Sequence, residues 1–557
     1  MNATSFVLAA VALVLVASLA RMAYEDVSRD RDEARRTAFV VAFVVLGSFA
    51  VRALLVSPSF VHANFHAIAL TDTILGFPEA VSHRQTYGQF GFFALGVIAA
   101  AFGRTFDTVC AANELFSALT VAVAGLIARR FTGSRVAAVV AVAIAATHPG
   151  LLRIAASEDV HTLALLLGFV GIWALDRHLI DGRRASLVAA ASALVLMVNT
   201  RQTFYPYLPV VFCLALGRGG VALFRRPSLW VAGLVVLAAS VLRVATSVGD
   251  GGDQTTFRAL PILLTTPAVL KELVRYHPAL DVVRFGPVMP ALIWLGVWRS
   301  LAGRGVTMAL GISFLGLFVL TFPFGFGTPG VEFGFRMPML GLSVLVAGVG
   351  GAWLADRFGA RVPVGVVRPV TFALAAALAF LPVVTPSWRS MREVSADLVE
   401  YRFLSTAAKA LPAGAQVVVL RANDPMPAYK LSERTLRLAG VTSFVDSDRL
   451  AEADRGRPLF FLVGVQCWSY SLGELMGSDP KNPVAVGPTF EKYAPVTFGR
   501  VVDSPLLEPP AGLRPECAAL LTGATPFGPS TTIEQPLQDI PFVLYRHAPL
   551  EIRFYKL

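Results

Sequence analysis

The stretch Ala38-Phe39-Val40-Val41-Ala42-Phe43-Val44-Val45-Leu46-Gly47-Ser48-Phe49-Ala50 decides the class of this protein. It is entered from Arg35-Arg36 and left at Ser57-Pro58, and segment 38–56 is long enough to cross a hydrocarbon core of about 30 Å. Similar runs recur to about residue 385, each bounded by Arg, Gly, Pro or Asp, and then stop. Composition agrees: 55% of the 557 residues are hydrophobic and 15% charged, where a soluble globule carries about a quarter charged, and mean hydropathy is +0.64. The expected fold is an all-α polytopic membrane bundle over residues 1–385, followed by a soluble extracytoplasmic α/β domain over 386–557.

About twelve spans are expected, at 5–20, 38–56, 107–128, 136–152, 160–175, 186–199, 204–217, 228–247, 286–302, 305–323, 336–355 and 366–385. The formal charge of +11 forms no basic stripe with interleaved aromatics, which argues against nucleic acid. Instead the Arg residues cluster between spans, as at Arg21 to Arg36, Arg129 to Arg135, Arg177 to Arg184, Arg218 to Arg226, Arg299 with Arg304, and Arg357 to Arg368. These clusters fall on alternate connections, so the positive-inside rule makes them cytoplasmic. Both termini are then extracytoplasmic, in a multi-pass protein of the bacterial cytoplasmic (inner) membrane. The apolar stretch 89–103 would invert every later loop if it crossed, so it reads as a re-entrant or interfacial helix. Met1 to Phe6 carries no basic residue and five Arg follow the first run, which reads as an N-out anchor rather than a signal peptide.

In the tail the pattern changes to a helix near 392–410 and short β-rich runs at Val417 to Leu420, Leu459 to Val463, Phe542 to Tyr545 and Ile552 to Tyr555. Two of the four cysteines, Cys467 and Cys517, lie here. In an oxidising compartment they are a candidate disulfide, against the alternative of two buried thiols.

This topology puts the long connections outside, and the first, 57–106, is rich in polar groups: His62, Asn64, His66, Asp72, His83 and Tyr87. His62 and His66 share a helix face, which permits a metal pair, but Ala63 stands where a metalloprotease-like site needs Glu. Solvation of a loop is the bland alternative. The second outer connection carries His148, Glu158 and Asp159. The two carboxylates open a span, so they either cap a helix or hold a cation or substrate headgroup, as does His148. Arg201, Gln202 and Tyr205, with Arg336 in Gly334-Phe335-Arg336-Met337-Pro338, put donors and fixed positive charge at outer span ends. Arg there suits bidentate recognition of phosphate, or snorkels without function.

The run from Tyr87 through Phe102-Gly103, Asn113, and Leu126 to Arg130-Phe131-Thr132-Gly133, then Pro149 through Ser157-Glu158, resembles the N-terminal half of the GT-C superfamily. These are membrane glycosyltransferases that use polyprenyl-phosphate sugars, similar to protein O-mannosyltransferases and aminoarabinose transferases. Phe335-Arg336-Met337-Pro338 is similar to a turn such enzymes carry late in the membrane part, and the resemblance covers roughly residues 37 to 355. It implies inverting transfer of a hexose or pentose from a lipid phosphate to a lipid, glycan or protein acceptor at the outer leaflet. Asp72, with His66 second, is then the candidate base. Arg201, Gln202, Tyr205 and Arg336 hold the donor phosphate, and Glu158, Asp159 and His148 a divalent metal ion or headgroup. His62, His83 and Tyr87 line the pocket. The acidic pair usual early in that loop is absent. Two other classes stay open: a lipid-linked glycan transporter and a non-catalytic envelope assembly protein. Two similar halves would mark the first, and loss of the carboxylate and phosphate-binding constellation the second.

Overall fold

The computed structural model describes residues 3–59, 74–75, 89–247, 279–280, 287–321, 331–359, 392, 394, 396–420, 429–454, 456–464, 467, 513, 515–534, 537–539, 543–545 and 549–557. The membrane part is a helical bundle: α1 (Ala3–Arg29), α2 (Arg31–Leu55), α3 (Gln89–Phe102), α4 (Phe106–Thr132), α5 (Arg135–Thr147), α6 (Pro149–Ala155), α7 (His161–Asp181), α8 (Arg184–Thr200), α9 (Tyr207–Gly219), α10 (Pro227–Ser247), α11 (Val288–Leu301), α12 (Val306–Thr321) and α13 (Val331–Gly359). Local chemistry sets their ends. Asp30 caps α2 by accepting from the Glu33 amide at 2.9 Å, and Thr105 and Ser134 cap α4 and α5 in the same way. Gly133 and Gly182 close α4 and α7 in the left-handed conformation (φ 70° and 71°), which a side chain disfavours.

Among the described residues seven helices are long and apolar enough to cross a membrane, and eight if the α5–α6 pair, bent by 55°, counts as one broken span. By these apolar helices the chain is a multi-pass membrane protein. The expectation of about twelve spans was finer than this. Helices do stand at 186–199, 286–302 and 305–323, but as α8, α11 and α12 they have only 17, 14 and 16 residues. Span 366–385 lies outside the described residues. The apolar stretch 89–103 forms α3, of 14 residues.

Ion pairs gather the basic loops at one end of the bundle. The buried Asp176 carboxylate accepts from Arg130 and Arg218, each at 2.6 Å, and Asp26 accepts from Arg177 and Arg183 at 2.6 and 2.7 Å. The loops after α1, α4, α7 and α9 therefore share a face. Helix α4 then carries the chain across: Asp107 in its first turn and Arg130 in its last are about 35 Å apart by helical rise. Close packing tightens the bundle where α11 meets α13. A Cβ at Gly296 would run into the Val346 carbonyl, so this contact requires glycine.

At the other end sits the C-terminal domain. Its mixed sheet has strand order β2-β1-β3-β7-β4, with β1 (Gln416–Val419), β2 (Ser443–Asp446), β3 (Leu459–Val463), β4 (Thr525–Ile533) and β7 (Leu550–Lys556). A separate hairpin pairs β5 (Leu537–Asp539) with β6 (Val543–Tyr545). β1 pairs in parallel with β2 and β3, while β7 runs antiparallel to β3 and β4. Buried along its whole length, β1 is the covered centre a parallel pairing needs. One sheet face packs Val417, Phe460, Leu462 and Phe554 against Leu404 of α14 (Ala396–Ala407) and Leu436 of α15 (Tyr429–Leu438). On the other face Val418, Phe461 and Val463 cover Cys467 and Cys517, which are joined with a Cα–Cα distance of 5.8 Å.

Helix α14 docks the domain on the membrane part. Leu398 and Tyr401 enter a cluster with Phe92, Phe106, Val109, Cys110 and Val160, and Arg402 pairs with Asp107 at 2.7 Å. The tail thus sits on the face opposite the arginine loops.

Candidate functional site

At the tail-side end of the bundle the apolar core gives way to buried polar groups. The loop between α6 and α7, Ala156 to Val160, turns inward instead of out to solvent, and Ser157, Glu158 and Asp159 are all fully buried. Ionisable groups at membrane depth are costly and mark function by default. The loop is held by its neighbours. Asn113 of α4 donates both amide hydrogens to main-chain carbonyls on either side of Glu158, to Ser157 at 2.8 Å and Asp159 at 3.1 Å. Ser157 Oγ donates to the Ile154 carbonyl at 2.7 Å and accepts from the Asp159 amide at 3.2 Å. Ser59, at the end of the first span pair, donates its amide to the Ala156 carbonyl at 3.0 Å, and Arg153 donates to the Ser57 carbonyl at 3.2 Å.

From this loop a charged chain runs into the bundle. Asp159 Oδ1 accepts from the His161 amide at 3.0 Å and pairs with the ring at Nδ1. Arg201, at the C-terminal end of α8, donates from Nε to His161 Nε2 at 3.2 Å. An arginine Nε–H only donates, so His161 Nε2 accepts and Nδ1 carries the proton that goes to Asp159. Carboxylate, neutral imidazole and guanidinium are therefore in series, with the positive end at Arg201. The Phe204 ring lies 6.2 Å from His161 and 5.4 Å from Tyr207, and the Tyr207 hydroxyl donates to the Pro338 carbonyl at 2.9 Å. That bond ties the turn after Arg201 to the segment after Arg336, a residue also fully buried.

Beneath the loop lies a further buried cation. Arg52 is fully buried, and it donates to Ser117 Oγ at 2.9 Å, the Ser48 carbonyl at 2.9 Å and the Ala145 carbonyl at 3.2 Å. Glu114, one residue beyond Asn113 and three before Ser117, is also buried. Glu114 follows Cys110 by four residues, about one helical turn, on the same helix α4.

Of the residues singled out in the sequence, Glu158, Asp159, Arg201 and Arg336 are buried at this end, and Asp159 is linked to Arg201 through His161. Gln202 opens the short turn Gln202–Phe204, and Tyr205 follows it, half-buried. His148 serves as a helix cap: its Nδ1 accepts from the Gly150 amide at 3.1 Å at the start of α6. Asp72, His66, His62, His83 and Tyr87 lie outside the described residues. Among the described residues no three His, Cys, Asp or Glu side chains come together as metal ligands. Sequence reasoning missed His161, Arg52 and Glu114. The signal for Arg52 was a lone cation inside an apolar run, and for His161 its place two residues after Asp159.

No family model matches the chain, and no curated protein matches it in sequence. In structure it is similar over most of its length to ArnT from Cupriavidus metallidurans bound to undecaprenyl phosphate, at 15% identity and a TM-score of 0.49, covering 81% of this chain and 94% of that one. The same protein in the apo state gives 15% identity and a TM-score of 0.48, with 82% and 95% covered. The archaeal oligosaccharyltransferase AglB from Archaeoglobus fulgidus, in complex with an inhibitory peptide and a dolichol-phosphate, gives 13% identity and a TM-score of 0.46. There the match covers 68% of this chain and 59% of AglB.

Proposed function

We propose that this chain is a membrane glycosyltransferase that moves a sugar from a polyprenyl-phosphate donor to an acceptor at the outer face of the inner membrane. The observation that carries the reading is the buried series Asp159, His161, Arg201. A guanidinium held deep at a span end, oriented from behind by an imidazole and a carboxylate, suits an anionic headgroup whose tail stays in the lipid. Arg336, reached through the Tyr207 to Pro338 bond, adds a second buried cation at the same end.

In the reaction, Asp72 takes the proton of the acceptor hydroxyl as its oxygen attacks the anomeric carbon of the donor sugar. The bond from that carbon to the phosphate oxygen breaks with inversion, and the lipid phosphate leaves with the electron pair. Arg201 and Arg336 hold the phosphate as charge builds on it, which stabilises the transition state where it differs most from the ground state. Glu158, bracketed by Asn113, orients the donor headgroup. Asp72→Asn lowers turnover by about two to four orders of magnitude, the scale of a lost general base, and leaves donor binding nearly intact. Full turnover by that variant moves the base to His66, and full activity of His66→Ala as well removes the base from this loop.

A further inference from the structure

A groove of about 400 Å³ lies between α14 and the edge strand β4 of the C-terminal domain. Its helix wall is built of two rows at four-residue spacing. Val399, Phe403 and Ala407 form an apolar row, and Arg402 and Thr406 a polar row beside it. Residues 529–531 form the facing wall. They follow a bulge at which the register of β4 against β7 shifts between Phe527 and Ser530, with Gly528 in the left-handed region (φ 67°). Bulges re-aim side chains at sheet edges.

We infer that this groove is a saccharide-binding subsite, and that it receives the acceptor. A pyranose ring has an apolar C–H face and a rim of hydroxyls, each both donor and acceptor. An apolar row flanked by polar side chains matches both. Thr406 Oγ1 spends its hydrogen on the Arg402 and Phe403 carbonyls, at 2.8 and 3.2 Å, so its lone pairs accept. Ser530 Oγ accepts from Arg553 at 3.2 Å and keeps its own hydrogen to donate. Arg402 uses Nη2 on Asp107 and has further N–H donors.

Position argues for the acceptor rather than the donor. The Arg402 to Asp107 bridge sets the groove at the first turn of α4, about 9 Å along the helix from Asn113 and the buried loop. A lipid-anchored donor enters from the bilayer, whereas this groove opens on the soluble domain. The assignment as acceptor rests on the transferase reading; the saccharide chemistry of the groove does not.

The test is saturation-transfer NMR on the full-length detergent-solubilised protein, with methyl α-mannopyranoside, methyl β-galactopyranoside and methyl α-glucopyranoside as probes. At least one probe is expected to receive saturation on its ring protons. Filling the groove from either wall, by Thr406→Trp or Ser530→Trp, abolishes it, and Arg402→Gln weakens the affinity about tenfold, the scale of one good hydrogen bond. Asp107→Ala retains binding, because it removes the bridge and leaves the groove. Two filling variants on separate elements guard against misfolding of one. No saturation of any probe, or saturation that survives both tryptophans, overturns the proposal. The measurement involves neither donor nor turnover, so a chain without transferase activity fails the proposed function and leaves this result standing.

Discussion

Asp159→Asn isolates charge from shape in the buried series. Asp159 Oδ1 accepts both from the His161 amide and from its ring. An asparagine oxygen in the same place keeps both bonds and loses only the negative charge. Hydrogen bonds to charged groups contribute about 1.5–3 kcal/mol and neutral ones about 0.5–1.5, so each bond weakens by about 1.2 kcal/mol, close to tenfold. Asp159→Leu removes the acceptor altogether and leaves the His161 Nδ1–H buried without it, which adds about 1–3 kcal/mol. If the series orients Arg201 toward a donor phosphate, donor affinity should fall about tenfold in the first variant and about a hundredfold or more in the second. Titration of the detergent-solubilised protein with a labelled polyprenyl-phosphate sugar reads both, with melting temperatures as a check on folding. Wild-type donor affinity in a folded Asp159→Leu protein would refute the link between this series and donor binding.

A cysteine at Ser28 should be shielded from an impermeant thiol reagent in intact cells and one at Thr442 should label; the reverse pattern would invert the proposed orientation. Peptide mapping without reductant should recover Cys467 linked to Cys517, and two alkylatable thiols in native protein would rule that bond out. Gly296→Ala forces a Cβ onto a main-chain carbonyl that cannot swing aside, so it should destabilise the solubilised bundle by about 3 kcal/mol, the upper end for overpacking. An unchanged melting temperature would show that α11 and α13 do not meet so closely.

What could be read in advance was whatever is local in the chain. Apolar runs mark helices because one helix satisfies its own backbone in lipid, so the run at 38–56 falls in α2 up to its C-cap Val56 and that at 228–247 inside α10. Run length alone does not separate a span from a shorter apolar helix: α8, α11 and α12 are apolar yet have only 17, 14 and 16 residues. In the tail β1, β3 and β7 showed through their β-branched and aromatic runs. Strand β4 did not, since Pro526, Gly528 and Pro529 spell a turn, and only an edge position with a bulge tolerates them in a strand. In the site, Glu158, Asp159, Arg201 and Arg336 drew notice as charges at span ends. The link through His161 spans 40 residues and that from Asn113 to the loop 44 and 46, and such separations leave no periodic trace in a single sequence. Little that is local marks Arg52, because one cation in an apolar run does not disturb the span, and its partners Ser117 and Ala145 come from other helices.

The central claim is donor chemistry, and release of lipid phosphate tests it most directly. Purified protein incubated with a panel of polyprenyl-phosphate sugars is predicted to release polyprenyl phosphate from at least one of them. That release should fall sharply in Arg201→Gln and Arg336→Gln proteins that remain folded. Release from no member of the panel, or equal release by the wild type and both folded variants, would contradict it.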